Sequence, residues 1–364
     1  MQGGNKTKDV GFERSQSPIL YEEIAGKDGA LGLITLNRQN TLNALNHEMF
    51  LSLDHHLAKW STDPAIKAVV IRAAPGRAFC AGGDLRYVYQ HKTDPTLKYL
   101  FRDEYRLNHR IFHYPKPYIA LLDGITMGGG VGISVHGSHR VATERLSFAM
   151  PETAIGFFPD VGGSYFLPRL TNGLGNYLGL TGARLNADDC CALGITQYLV
   201  NSETLPEIMN ALVNAPLIEN SYSMVSDVLN RYKITPEKAS ILDLRIEIEA
   251  AFNKKSVVEI MEVLTTATHP WAQETATILQ KKSPTSLAVT LAQLQKGSKL
   301  EFDECMIMEY RLVNRFLSGH DFFEGIRALI VDKDQTPHWQ PGSLAAISSI
   351  AIDKYFAPLA EELV

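Results

Sequence analysis

Phe79–Asp84, reading FCAGGD, and Gly124–Gly132, reading GITMGGGVG, are two glycine-rich bends that each follow a short apolar run. Lys67–Ala73 (KAVVIRA) precedes the first and Tyr118–Leu122 (YIALL) the second. Runs of this kind, closed by turn residues, predict strands. The order strand, bend, helix recurs at Tyr118–Val135, and strands alternating with helices predict parallel β–α units. Two bends from separate strands can aim backbone N–H groups at one point, where they would stabilise negative charge developing on the oxygen of a reacting carbonyl. Glycine's commonest role is only to permit tight turns or close packing. Three consecutive glycines opening a helix, however, cost about 1 kcal/mol each relative to alanine, and a side chain at Gly129 would keep a ligand carbonyl from its N–H. The pair therefore reads as a candidate oxyanion hole.

Outward from the bends, Ile19–Ile24 and Leu31–Leu36 flank the turn Gly26-Lys27-Asp28-Gly29 and predict a hairpin. Asn46 precedes Met49, Phe50, Leu53, Leu57 and Trp60, spaced as on one face of a helix that stops before Asp63-Pro64. From about Ser202 the pattern turns to long amphipathic helices, including Leu242–Phe252, Trp271–Lys282 and Pro284–Leu294, the last capped by Ser283 with proline at its first position. The reading is an α/β core of repeated ββα units over residues 1–200 and a mainly helical region, 201–364, packed on it.

Composition narrows the function. With 364 residues, 45% hydrophobic, the chain can bury a large core. A net charge of −5 gives no basic footprint, so nucleic acid is not expected as a partner. Cys80, Cys190, Cys191 and Cys305 are too few and too unevenly spaced for a disulfide framework or a zinc site. The polar start MQGGNKTKDVGFERSQSP lacks the apolar run of a secretory signal, and no stretch approaches ~20 uninterrupted apolar residues. The expectation is a soluble, cytoplasmic protein without a membrane span, or one of the mitochondrial matrix if the source is eukaryotic.

FCAGGD, GITMGGGVG and Met150–Gly163 (MPETAIGFFPDVGG) together resemble the signature of the enoyl-CoA hydratase/isomerase (crotonase) superfamily. Phe101–His109 (FRDEYRLNH), Phe148–Leu170, Met308–Leu312 (MEYRL), Gly319–Asp334 and Pro337–Trp339 extend the resemblance over nearly the whole chain, to the 3-hydroxyisobutyryl-CoA hydrolase branch. It implies a crotonase-like spiral of ββα units, an acyl-CoA substrate and no further cofactor, since coenzyme A is part of the substrate, in valine catabolism. It also places the oxyanion donors at the N–H groups of Gly83 and Gly129, a catalytic carboxylate at Glu152, substrate-contacting carboxylates at Asp160 and Glu104, and coenzyme A near Ala81. Hydratases of this superfamily carry two glutamates, the first two positions after the triple glycine; that position is Gly132 here. Losing one of the pair removes half of the apparatus for adding water to a double bond, which favours thioester hydrolysis over hydratase or isomerase activity. Related chains also serve as non-catalytic parts of large assemblies, and relatives commonly form homo-oligomers, trimers in particular.

Each residue has a plainer reading. Glu152 follows Pro151 and is flanked by Phe148, Ala149, Met150, Ile155, Phe157 and Phe158; it reads either as a solvated loop acid or as an acid desolvated for catalysis. Asp160 could cap a helix starting at Val161, and Glu104, in a charged helical segment, would by default be a solvated surface residue. Gly132–His136 (GISVH) fails the G-x-S-x-G pattern, which removes Ser134 as a nucleophile. Cys80 reads as a small buried side chain. His47, His55, His56 and the other histidines show no metal-ligand spacing, so no metal is expected. Arg38, Arg77 and Lys333 are candidates, on charge alone, for the phosphates of coenzyme A.

Overall fold

The computed structural model describes residues 17–217 and 221–363, so most of the polar N-terminal stretch lies outside the described residues. One sheet has six strands in the order β1 (Ile19–Ala25), β2 (Ala30–Leu36), β3 (Ile66–Ala73), β5 (Tyr118–Leu122), β7 (His139–Thr143) and β9 (Tyr198–Val200). β1 and β2 form the expected hairpin, in register from Ile19 opposite Leu36 to Ala25 opposite Ala30, and the other neighbours pair in parallel. A second sheet holds three short parallel strands, β4 (Ala78–Cys80), β6 (Ile125–Met127) and β8 (Ser147–Ala149). The chain steps from the large sheet to the small one at β3–β4, β5–β6 and β7–β8. That repeated step is the ββα spiral.

The continuous apolar runs of β3 and β5 follow from burial on both faces. Val69, Ile71, Ala120 and Leu122 join the main core, while Ala68, Val70, Ile119 and Leu121 face a second cluster built with Ile208, Leu212, Val225 and Leu229 of the helices Leu205–Val213 and Ser221–Asn230. Helix α1 (His47–Thr62) is capped by Asn46, whose Oδ1 accepts from Met49 N at 3.0 Å, and buries Met49, Phe50, Leu53, Leu57 and Trp60. α2 (Leu85–Gln90) opens after the first glycine bend, and α3 (Leu97–Phe112) follows it, burying Leu97, Leu100, Phe101, Glu104 and Tyr105. α4 (Gly129–Gly132) is a single turn at the second bend, and α5 (Gly163–Phe166) another.

Beyond β9 the described chain is helical. Ser283 Oγ accepts from Ser286 N at 3.0 Å, starting the helix Pro284–Gly297 as expected. Leu242–Phe252 is not one helix: a 3-10 turn, Ser240–Leu244, leads into Arg245–Phe252. Asp189 Oδ1 accepts from Ile241 N at 2.9 Å and fixes that turn from outside, a tertiary bond no local pattern encodes. The main hydrophobic cluster runs from Ile19 to Leu363, so the spiral and the late helices share one core.

Candidate active site

At the first bend three backbone bonds pin the loop: Ala81 N to Leu42 O (3.0 Å), Leu45 N to Gly82 O (2.8 Å) and Asp84 N to Leu45 O (2.8 Å). Gly82 takes φ +112°, which a side chain would strain, and Asp84 caps α2 through Tyr87 N. Gly83 N–H is left with no protein acceptor among the described residues. At the second bend the three glycines divide the labour. Gly128 turns the chain at φ +49°, and Gly130 packs so closely that an added methyl would meet Cys80 O at 2.2 Å. Gly129 has an ordinary helical φ, and its N–H, in the first turn of α4, has no protein acceptor among the described residues. A methyl at Gly129 would lie 3.5 Å from Gly83 N and 2.8 Å from Glu104 Oε1. The two bends therefore bring their unpaired donors side by side.

A cavity of about 280 Å³ opens there. Ala81, Gly83, Gly129, Glu104, Glu152 and Asp160 all line it, so the six residues singled out for the oxyanion hole, the acids and the coenzyme A approach converge on one space. Leu100, Phe101, Phe157, Phe322, Leu329 and Ile330 supply apolar wall. Glu104, on α3, is 4% exposed, Glu152 7% and Asp160 5%, which overturns the default surface reading of Glu104 and the solvated reading of Glu152. Glu152 starts the 3-10 turn Glu152–Ile155 after Pro151, and its Oε2 is buried with no hydrogen-bond partner among the described residues. Asp160 does not cap a helix: α5 begins at Gly163 after Gly162, and Asp160 Oδ2 accepts instead from the buried Tyr105 hydroxyl at 2.8 Å.

Burial sets the protonation of this cluster. It pushes Glu104 and Glu152 well above the ordinary carboxyl range, with the neighbouring Asp160 adding to both. Asp160 itself rises to about 7, burial outweighing the Tyr105 hydrogen bond that favours its charged form. Acids this close give up protons as a set rather than singly, and raised acids in a cleft mark a functional site.

The profile of the enoyl-CoA hydratase/isomerase family matches residues 31–356. The chain belongs to this family. It is 45% identical to the mitochondrial 3-hydroxyisobutyryl-CoA hydrolase of Gallus gallus over 342 residues, 92% of this chain and 88% of that protein. In fold it matches a carnitinyl-CoA dehydratase from Mycobacterium thermoresistibile (TM-score 0.87, 34% identity, covering 95% of this chain and 98% of that one). An enoyl-CoA hydratase from Rhodobacter sphaeroides is as similar (TM-score 0.87, 35% identity, 96% and 100%). The crotonase-like spiral is thus shared with both structures.

Against the two-glutamate pattern of the hydratases of the enoyl-CoA hydratase/isomerase family, Gly132 has no room for a side chain: a methyl there would meet Val161 Cβ at 2.7 Å and Asn108 Nδ2 at 2.8 Å. Ser134 is fully buried, and its hydroxyl donates to Gly130 O and Val131 O, which agrees with its dismissal as a nucleophile. Cys80 is fully buried and burial pushes its thiol up to about 12, an unreactive state. Of the charge-based candidates for coenzyme A, none lines the cavity itself: Arg38 pairs at 2.9 Å with Asp84, which does, and Arg77 and Lys333 are exposed.

Several residues escaped the sequence reading. Tyr105 and Asn108 lie beside Glu104 on α3, and Asn108 is fully buried with neither amide atom partnered among the described residues. His109 near the end of α3 and His113 at its C-cap, four apart, do show a helical ligand spacing; their Nε2 atoms stand 3.1 and 2.7 Å from Asp303 Oδ1, away from the cavity lining. Glu309, also fully buried, accepts from Gly162 N, Ser164 N and the Ser164 hydroxyl. Its signal was available. It interrupts the stripe Phe302, Cys305, Met306, Leu312, Val313, Phe316, as Glu104 interrupts Leu97, Leu100, Phe101, Leu107, Ile111.

Proposed function

We propose that this chain hydrolyses the thioester of 3-hydroxyisobutyryl-CoA, or a short 3-hydroxyacyl-CoA like it, to the free acid and coenzyme A, the reaction its relatives are named for, as a step of valine breakdown. The thioester oxygen sits between the N–H groups of Gly83 and Gly129, which stabilise it as charge develops. Glu152 either activates water as general base or attacks the carbonyl to give a mixed anhydride that water then opens. In both routes one water is consumed, the C–S bond breaks and the thiolate leaves as the thiol after taking a proton. Asp160 and Glu104 hold the hydroxyl end, so an analogue lacking the hydroxyl leaves a buried acid without a partner and is poorly turned over. The observation that carries this reading is Glu152: a buried acid whose Oε2 has no partner among the described residues, in the same cavity of about 280 Å³ as two glycine N–H groups likewise without an acceptor among them.

A hydratase or dehydratase reading has the two similar solved structures in its favour. Gly132, hemmed in by Val161 and Asn108, argues against it, because no second acid can stand there. A non-catalytic role is disfavoured by a complete cavity with its acids in place. The chain has a substrate-sized cavity and no helix long and apolar enough to cross a membrane among the described residues. We infer an acyl-CoA partner, and a cytoplasmic setting or, in a eukaryotic source, the mitochondrial matrix.

Thiol release from 3-hydroxyisobutyryl-CoA, run beside loss of enoyl absorbance from crotonyl-CoA, tests the assignment. Wild type should release thiol and Glu152→Gln should lose about 10²–10⁴-fold in kcat, the range of a general acid or base. Enoyl turnover without thiol release overturns the reading. A single turnover in ¹⁸O water tests the covalent route: label in the Glu152 peptide marks an anhydride opened at the Glu152 carbonyl, a label that direct attack by water cannot introduce.

A further inference from the structure

The acids of the cavity are not placed by their own elements alone. Asp160 heads a reverse turn in which Gly163 N donates to Asp160 O at 2.8 Å, with Val161 at φ 49° and Gly162 at φ 86°. Positive φ at both central positions suits asparagine followed by glycine. Valine, branched at Cβ, is among the worst residues for the first of them. Strain of this kind persists only where the surroundings over-determine it.

Four side chains do so here. Gln293 Nε2 donates to Pro159 O at 2.7 Å, just before the turn. Tyr105 holds the Asp160 carboxylate itself. His136 Nε2 lies 2.7 Å from Val161 O, and since a carbonyl only accepts, that nitrogen carries the hydrogen. Glu309 makes the largest share: Oε2 accepts from Gly162 N at 2.8 Å, and Oε1 accepts from Ser164 N at 2.9 Å and from the Ser164 hydroxyl at 2.5 Å. It grips the turn on both sides of Gly163. A leucine would suit the apolar stripe of the helix Phe302–Leu317 better, so the acid answers to the turn rather than to the helix. Glu309 does not line the cavity and cannot touch a substrate there.

We propose that Glu309 is a positioning residue: it clamps the Asp160–Ser164 turn in its strained form and so sets the Asp160 carboxylate at the hydroxyl end of the cavity, governing selectivity for hydroxylated acyl groups. The clamp has a second product. With the turn held, the Val161 side chain covers Gly132, the place where a hydratase carries its extra glutamate. One buried carboxylate thus both aims Asp160 and closes the alternative chemistry. The inference rests on the reading of Asp160 as a hydroxyl-binding acid.

The test compares kcat/KM for 3-hydroxyisobutyryl-CoA and for isobutyryl-CoA, which lacks the hydroxyl, in wild type, Glu309→Gln and Ser164→Ala, each assayed well below its own Tm. Glutamine keeps the volume but turns an NH₂ group toward backbone donors, so the turn relaxes. A displacement near 1 Å can cost about 100-fold. Glu309→Gln should therefore lose roughly 100-fold on the hydroxylated ester and under about 3-fold on isobutyryl-CoA, collapsing the ratio between them. Ser164→Ala, which removes one of the three donors, should collapse it part of the way and serves as the test if Glu309→Gln does not fold. A general loss of structure would lower both esters by one factor. That result, or an unchanged ratio in a folded variant, overturns the inference. If wild type itself does not prefer the hydroxylated ester, the reading of Asp160 fails and the inference falls with it; a discriminating wild type with a discriminating Glu309→Gln overturns the inference alone.

Discussion

Gly129→Ala isolates the proposed oxyanion hole from the fold. The backbone at Gly129 is helical and carries no positive φ, so alanine is conformationally admissible and gains up to about 1 kcal/mol of helix propensity. Its methyl would come within 2.8 Å of Glu104 Oε1, the far end of a side chain that can move aside. Stability should therefore stay near wild type, with Tm within about 3 °C. The chemistry should not survive. The methyl would sit 3.5 Å from Gly83 N, in the region an oxygen must enter to lie ~2.9 Å from that donor, so no carbonyl can engage both N–H groups. Loss of one such donor raises the barrier by about 3–4 kcal/mol, which is 10²–10³-fold in kcat. Steady-state thiol release at saturating substrate gives kcat, and differential scanning fluorimetry gives Tm. A variant that keeps more than a tenth of wild-type kcat, or one whose loss tracks its unfolding, refutes the convergence of the two amides on the substrate.

Two further outcomes follow from the charges around the cavity. Burial pushes Asp160 up to about 7; its contribution to stability is complete below its unfolded value near pH 4 and is lost as pH rises through about 7. Asp160→Asn should accordingly match wild type in Tm near pH 4.5 and exceed it near pH 8, and equal Tm values at pH 8 would show the acid is not desolvated. Arg327 bonds Glu324 (2.8 Å), Asp332 (2.8 Å) and Asp334 (2.6 Å), fixing the segment whose Leu329 and Ile330 wall the cavity. Arg327→Ala should raise KM for the acyl-CoA several-fold with kcat little changed, and a loss confined to kcat would contradict that role.

Much of the fold was legible because it is written in local chemistry. The hairpin carries its Gly26–Gly29 turn, α1 its Asn46 cap and apolar stripe, and the Ser283-Pro284 start its cap and fixed φ; all three stand where expected. The late helices were legible as helices, but the break at Leu244 was not, since the bond from Ile241 N to Asp189 joins residues 52 apart. The site divides the same way. The glycine bends announce themselves by composition, yet only coordinates separate Gly129, open to a ligand, from Gly130, packed on Cys80 O, and Gly128, needed for its φ. Glu104 and Glu309 illustrate a signal present but unread. Each sits at helical spacing within an apolar stripe, where a solvated acid has no place. Asp160 illustrates the opposite: its partner Tyr105 lies on another element, so a cap was the natural local reading and the wrong one.

The cavity is walled by residues as far apart in the chain as Ala81 and Ile330. Contacts at such separations close late in folding, after the local ones have formed. A chain with its sheets and bends assembled but its last helices undocked would leave Glu104, Glu152 and Asp160 wet, titrating like any surface carboxyl. Docking of Phe322, Leu329 and Ile330 is what dries them. Catalytic competence should then lag secondary structure during refolding, so that the final arrival of a remote stretch of polypeptide, rather than formation of the glycine bends, converts an inert scaffold into a working acid cluster.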